Sequence, residues 1–364
     1  MLWRLRLAVL MIYLHPLLVS RFTRLAVILV FSLSLIAASG CSTKSKIAVP
    51  PLLTPLVEAG MPQLIAEINR VAAVRSIRGK VDIQFLDTSF AECGVAEKYR
   101  TADGEVTIQR PGQVYLLIQA PFGVVKIAEM TSDGERFRVA VFQGEEKYRR
   151  FVRGTNNAVY PKLESNGTTG GVAQGDCGNN GDKQQAANMR RAVSSLSGLR
   201  PQHFTDALLI RPVAADNENL LYARIEAFEE EPDTRPGAKR NARVVRPYYV
   251  LSELVREGEG NVRVSRRFWF NRVGELSLAR VQTYDERGQL TTDVVYKESK
   301  NFGADGRYKL PSQIELTRPQ DRYSIRINYQ TPEAVSLDRE YPGAVFVLEN
   351  KSQLPEVDLD AKRQ

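Results

Sequence analysis

The sequence predicts a mainly β protein with few helices (class α+β), built on a curved antiparallel sheet or incomplete β-barrel with helices covering its concave face. Three observations predict this fold. From residue 77 onward, apolar and polar residues alternate with the period of two that is typical of strands with one wet face. Short turn sequences separate these runs, which favours antiparallel hairpins. Only a few short segments show helical spacing.

The first 40 residues have the layout of a secretory signal. Arg21 and Arg24 precede an apolar run over 25–38, which ends in small residues before an abruptly polar segment. This run is shorter than the roughly 20 residues that a membrane span needs. We therefore expect residues 1–40 to be a signal peptide, with an uncleaved anchor as the alternative.

The cysteine that follows this run resembles the lipobox cysteine of bacterial lipoproteins. Ala38, Ser39 and Gly40 directly precede Cys41. The resemblance implies cleavage before Cys41 and lipid attachment to it, and no other cofactor is expected. Since Ser42 and not Asp follows, it also implies an outer-membrane anchor facing the periplasm of the bacterial envelope. An ordinary signal peptide with a bystander cysteine is the alternative.

The net charge argues against nucleic acid as a partner. The formal charge is +8, and it falls to +4 without the signal, which contains four arginines and no acidic residue. The densest basic stretch, residues 237–246, is explained equally well by a solvated loop.

We expect residues 41–60 to form a tether after the lipidated cysteine, because they are polar and then Pro-rich. The main domain is expected over 61–350. It begins with an amphipathic helix over 62–75, in which Leu64, Ile68 and Val71 are spaced for one face.

Strands dominate the rest of this domain. After an alternating run over 79–87, a meander over 105–154 has turns at "RPGQ", "APFG", "SDGE" and "QGEE", and seven further runs follow from residue 220 to 331. Between them, a Gly- and Asn-rich insert over 162–185 is expected to be flexible, and two short helices are expected near 185–210. Residues 351–364 are expected to be a polar tail.

Little in the sequence indicates chemistry, and we expect no enzyme. His203 is the only histidine after the signal, and no Gly-x-Ser-x-Gly motif accompanies it, so a helix-surface position explains it better than a catalytic base. No metal-ligand or phosphate-loop spacing appears, and catalytic and metal sites are both expected to be none. Cys93 and Cys177 lie in loop-like sequence and either pair in an oxidising compartment or remain free thiols.

The order of tether, amphipathic helix and strands, with "RPGQVYLLI" and "APFGVVKI", resembles the LolA/LolB lipoprotein-localisation family over about residues 62–155. The resemblance implies a half-barrel whose apolar cavity binds the acyl chains of lipids or lipoproteins. It also implies that Phe122, with Pro121, Gly123 and Val124 around it, forms a protruding apolar turn that contacts lipid or membrane. Alternatives are that Phe122 is an ordinary core residue, and that the helices simply fill the concave face.

The sequence leaves three functions open. The first is a membrane-anchored module that binds acyl chains in lipoprotein or lipid localisation and transfer. The second is a structural or assembly lipoprotein that binds an envelope protein partner. The third and weakest is a periplasmic hydrolase.

Overall fold

A computed structural model describes residues 49–87, 97–98, 101–120, 125–143, 146, 149–156, 158 and 201–361. The chain divides into two compact units, Met1–Val49 and Pro50–Gln364. All the helices and strands described belong to the second unit. The signal peptide, Cys41, Cys93, Cys177, Phe122 with its neighbours 121–124, and the insert over 162–185 therefore lie outside the described residues.

The described elements are two α-helices, sixteen strands and short 3-10 turns. The helices are α1 (Met61–Ala72) and α2 (Pro201–Leu208). The first strands are β1 (Ser76–Asp87), β2 (Glu97–Lys98), β3 (Ala102–Gln109), β4 (Gln113–Gln119), β5 (Lys126–Asp133), β6 (Arg136–Val141) and β7 (Arg150–Thr155). The next are β8 (Leu220–Pro232), β9 (Arg243–Arg256), β10 (Val262–Asn271), β11 (Ser277–Tyr284), β12 (Leu290–Phe302), β13 (Tyr308–Arg318) and β14 (Tyr323–Tyr329). The last are β15 (Ser336–Leu337) and β16 (Glu356–Asp358).

These strands form one open, curved sheet, which confirms the predicted fold class. Its order is β16-β7-β6-β5-β4-β3-β1-β14-β13-β12-β11-β10-β9-β8, and short β2 and β15 pair with β1 off this path. β1 joins the two halves by pairing antiparallel with β3 on one side and β14 on the other. Within the described residues, the end strands β16 and β8 do not pair with each other.

Two of the four turns that the sequence predicts lie between described strands, whereas "APFG" and "QGEE" include residues outside the described ones. "RPGQ" connects β3 to β4, and "SDGE" connects β5 to β6. In the second of these turns Gly134 has φ +104°, a conformation that residues with a side chain rarely adopt. Asp133 Oδ1 accepts hydrogen bonds from the backbone N–H groups of Glu135 and Arg136, which closes the turn.

Helix α1 confirms the prediction from its spacing. It begins at Met61 after Gly60, with Pro62 in its first turn, where the missing N–H of proline costs nothing. Its buried residues are Leu64, Ile68, Val71 and Ala72. They pack against the face of the sheet that we call the inner face, which carries most of the hydrophobic core.

Residues 50–60, part of the expected tether, are packed on the sheet. Leu53 donates its backbone N–H to Val245 O at 2.9 Å, and Leu53 and Ala59 are buried. Glu58 accepts hydrogen bonds from the Tyr249 hydroxyl at 2.7 Å and from Arg272 at 2.8 Å. These contacts fix the start of the domain to β9 and to the residue that follows β10.

Part of the expected polar tail is also structured. We call residues 343–361 the C-terminal strap. Its strand β16 pairs in parallel with β7, the one parallel pair among the named strands, and Leu354 is buried against Ala140 and Phe151. The sequence pattern does not predict this structured segment, because its composition is hydrophilic and its few apolar residues are spread along an extended chain.

Candidate functional site

The inner face of the sheet is apolar, and helix α2 covers part of it. Strands from both halves of the sheet contribute core residues, among them Val106, Leu116, Val139, Phe268, Ile314, Leu316, Ile325 and Ile327. Phe204, Ala207 and Leu208 of α2 are buried in the same core. Helix α2 contacts β3, β4, β5 and β13, and therefore bridges the two halves of the sheet.

Two tyrosine hydroxyls hold α2 against this apolar face. The Tyr296 hydroxyl donates to Ala207 O at 3.0 Å, and the Tyr323 hydroxyl lies 2.8 Å from Nδ1 of His203. Burial raises the pKa of Tyr296 far above its ordinary value, so its hydroxyl remains protonated and able to donate. His203 is buried, and the expected helix-surface position is wrong because its ring faces the sheet and contacts Tyr323.

The segment that follows α2, residues 209–213, runs on across the inner face, and polar side chains hold it at its backbone. Arg110 donates to Ile210 O at 2.7 Å and to Ala72 O at 3.0 Å, so one guanidinium joins this segment to the end of α1. Asn69 Nδ2 donates to Val213 O at 3.3 Å, and its Oδ1 accepts from the Val213 N–H at 2.9 Å. The side chains of Leu209, Ile210 and Val213 are buried.

A buried ion pair supplies the third contact to this segment. Arg266 donates to Arg211 O at 2.9 Å and to Pro212 O at 3.2 Å. The same guanidinium bonds to Glu253 at 2.5 and 2.8 Å, and both side chains are buried. Burial by itself raises the pKa of Glu253, but hydrogen bonds and the charge of Arg266 outweigh burial and hold this pKa below its ordinary value.

A small cavity of about 20 Å³ remains between the two helices and the sheet, room for about one water. Its lining includes Val71, Ala207, Leu208, Ile314, Phe302 and Tyr329. The Tyr329 hydroxyl is buried and has no hydrogen-bond partner in the described part of the chain. Burial raises the pKa of this phenol, so it stays a neutral donor inside an apolar cavity.

The predicted site residues lie outside the described structure, so these predictions stay predictions; they are Cys41, Cys93, Cys177, Pro121, Phe122, Gly123 and Val124. The strands on either side of 121–124 are described. The Ala120 N–H donates to Val125 O at 2.8 Å, and the Val125 side chain is 41% exposed. The last described residue on one side of this connection is thus an exposed apolar residue.

Sequence reasoning missed the polar contacts to residues 209–213. Arg266 alternates with Phe268 and Phe270 along β10, so it occupies a position of the buried face. An arginine at such a position needs a buried partner, and this is the one signal that could have indicated an internal ion pair. Arg110 and Asn69 carried no comparable signal.

Within the described residues no group of three His, Cys, Asp or Glu is arranged to hold a metal ion. Neither described helix has the length and apolar composition that crossing a membrane requires.

Comparison with known proteins finds solved structures similar to this chain. A DUF1329 family protein from Desulfovibrio piger is 13% identical, with 80% of this chain and 96% of that chain covered and a TM-score of 0.38. A LolA superfamily protein from Nitrosomonas europaea is 12% identical, with 80% and 99% covered and a TM-score of 0.36. An outer membrane lipoprotein-sorting protein domain from Vibrio parahaemolyticus is 12% identical, with 80% and 98% covered and a TM-score of 0.37. No family model and no curated protein matches the sequence. The structures to which this chain is similar thus include a protein of the LolA superfamily.

Proposed function

We propose that this protein is an outer-membrane lipoprotein, anchored through Cys41 and facing the periplasm, whose inner sheet face binds acyl chains. In this role it would act in the localisation or transfer of lipoproteins or lipids, and it performs no catalysis. Its partners are membrane lipid and the acyl chains of its cargo.

The proposal rests on one observation, namely that a helix and the segment after it cover the apolar inner face. Helix α2 and residues 209–213 bury apolar side chains against the sheet, and a few named polar contacts fix them there. An acyl chain offers the same apolar surface, and each methylene that it buries contributes about 0.8 kcal/mol. Exchange of α2 for an acyl chain therefore keeps the core of the sheet covered, whereas a loss of α2 alone would expose it.

The substitution Tyr323→Phe tests this exchange. It removes the hydroxyl contact to His203 while keeping the ring. A hydrogen bond contributes about 1 kcal/mol net, so displacement of α2 becomes easier and the apparent Kd for a fluorescent fatty acid should fall about fivefold.

Tyr284→Phe is the matched control, because the Tyr284 hydroxyl donates to Gln282 Oε1 at 3.3 Å within β11 and not to α2. Its Kd should equal that of the wild type. Absence of saturable binding in every variant, or an unchanged Kd in Tyr323→Phe, would contradict the proposal.

Two further variants test the membrane contacts of the proposal. Cys41→Ser should remove the lipid and release the protein from membranes, as judged by mass and by fractionation.

Phe122→Glu should reduce liposome binding with little change in thermal stability, whereas Phe122→Leu should retain liposome binding. A large loss of stability in Phe122→Glu would instead identify Phe122 as core.

The alternative role, in which the protein binds an envelope protein, is favoured by edge strand β8. Ile225 and Phe228 on this strand are 59% and 56% exposed, and exposed apolar residues on an unpaired edge are typical of sites where another chain adds a strand. Loss of partner capture in Ile225→Lys, with normal fatty-acid binding, would support this role.

A further inference from the structure

A second cavity lies where two neighbouring strands separate. Strands β11 and β12 pair from Tyr284 and Leu290 up to Arg280 and Val295, and beyond this point no pairing joins Ser277–Ala279 to β12 within the described residues. β11 continues along β10, and β12 continues along β13 as far as Phe302. The result is a cleft of about 840 Å³ between the strands, within the range of about 300–1,000 Å³ that is usual for ligand pockets.

The cations that line this cleft are already neutralised by carboxylates of the chain. Arg70 bonds to Glu67 at 2.7 and 2.9 Å. Arg246 pairs with Glu231, Lys297 with Glu315, and Lys309 with Glu275. A phosphate or sulfate entering the cleft would have to compete with these carboxylates, so the lining does not favour an anionic ligand.

Among the uncharged polar side chains of the lining, Asn271 bonds to Arg246 and to the backbone of Val273, but four others are in the opposite situation. The side chains of Thr234, Ser277, Ser299 and Gln313 line the cleft, and none of them makes a hydrogen bond to another described residue. They present hydroxyl and amide groups that can both donate and accept. The ring of Tyr248 also lines the cleft and packs edge-on against Trp269 with ring centroids 5.6 Å apart. Such a lining suits a neutral ligand with several hydroxyl groups.

The cleft meets the small inner cavity. Val71, Ile210, Tyr296 and Pro311 line both. These side chains present mainly apolar surface, and Ile210 belongs to the segment that the proposed acyl chain displaces. A ligand with a polar head in the cleft could therefore place an attached chain against the inner face.

We propose that the cleft between β11 and β12 binds an uncharged, polyhydroxylated headgroup, so that the preferred ligand is an amphiphile of the glycolipid class. This inference rests on the proposed function, since the acyl chain of the same molecule occupies the inner face.

The test uses the full purified protein and three soluble probes below their micelle concentrations: dodecyl maltoside, dodecylphosphocholine and dodecanoate. Each competes with a fluorescent fatty acid. We expect dodecyl maltoside to bind about tenfold more tightly than dodecylphosphocholine, and maltose alone to compete weakly or not at all because it lacks the chain.

The substitution Ala279→Trp fills the cleft from the wall of β11. It should weaken the affinity for dodecyl maltoside about tenfold and change the affinity for dodecanoate less than about twofold. A tenfold change in affinity corresponds to about 1.4 kcal/mol. Ala223→Trp, on exposed strand β8 outside the cleft lining, is the matched control and should change neither. Gln313→Ala is a smaller change and should weaken only the affinity for dodecyl maltoside. It keeps the test valid if the tryptophan variant does not fold.

The possible failures are distinguishable. If dodecanoate binds but dodecyl maltoside shows no preference over dodecylphosphocholine, or if Ala279→Trp and Gln313→Ala leave its affinity unchanged, the headgroup site is wrong and acyl binding stands. If none of the probes competes, both proposals are wrong.

Discussion

The two halves of the sheet are covered differently on the face opposite the helices, which we call the outer face. Over β4–β7, the C-terminal strap covers it with apolar side chains: Phe346 is fully buried in a short helix that contacts β4 and β5, and Leu354 packs on Phe151. Over β10–β13, the outer face carries cross-strand ion pairs such as Arg280 with Asp293. Strands β4–β7 are therefore covered on both faces, whereas β10–β13 are wet on one.

This difference indicates in which half neighbouring strands can separate. A strand pair that is covered on both faces cannot separate without exposing apolar surface on each side. In the second half, β11 and β12 separate with charged and polar residues at the gap. We therefore infer that the half formed by β1–β7 is the stable support, and that the proposed ligand enters through the half from β8 to β14.

The largest expected effect tests the apolar cover of the first half. Phe346→Ala removes a fully buried ring between the strap and the sheet, and such changes typically cost about 3–5 kcal/mol. Urea unfolding should show this loss. A loss below about 1 kcal/mol would mean that the strap does not support the sheet.

The next prediction concerns pH and the buried pair of Glu253 with Arg266. Because the pKa of Glu253 is lower in the folded protein than in the unfolded chain, its contribution is present above the unfolded pKa of about 4.3 and is lost as pH falls through the folded pKa. Glu253→Gln should be clearly less stable than the wild type at pH 7. The gap in free energy of unfolding should narrow at pH 3, and a gap independent of pH would contradict the charge pairing.

The smallest effect belongs to the outer face of the second half. Arg280→Ala removes a partly exposed ion pair with Asp293 and a guanidinium lying 5.4 Å from the Trp269 ring centre. Such pairs contribute about 1 kcal/mol or less, so the melting temperature should fall only slightly, and by less in high salt. A loss as large as that of Phe346→Ala would remove the distinction between the two halves.

The sequence predicts the repeating parts of this fold because local rules determine them. The period of two predicts β8–β14, and the turn residues predict the hairpins. The spacing of Leu64, Ile68 and Val71 predicts the buried face of α1. It does not predict the position of Phe346 or of β16, because these depend on partners about 200 residues away in the chain. The backbone contacts of Arg110 to Ile210 and Ala72 have the same long-range origin. The alternation breaks on both strands where β11 leaves β12, since buried Leu278 and Val281 are three residues apart and residues 297–301 are all exposed. This break alone does not indicate a cleft.

In the proposed function, an acyl chain replaces α2 and residues 209–213 on the inner face. Amide hydrogen–deuterium exchange of the full protein with and without saturating dodecanoate tests it most directly. We expect faster exchange in residues 203–213 on binding, with β1 and β14 unchanged. Saturable binding of dodecanoate with unchanged or slower exchange in residues 203–213 would contradict it.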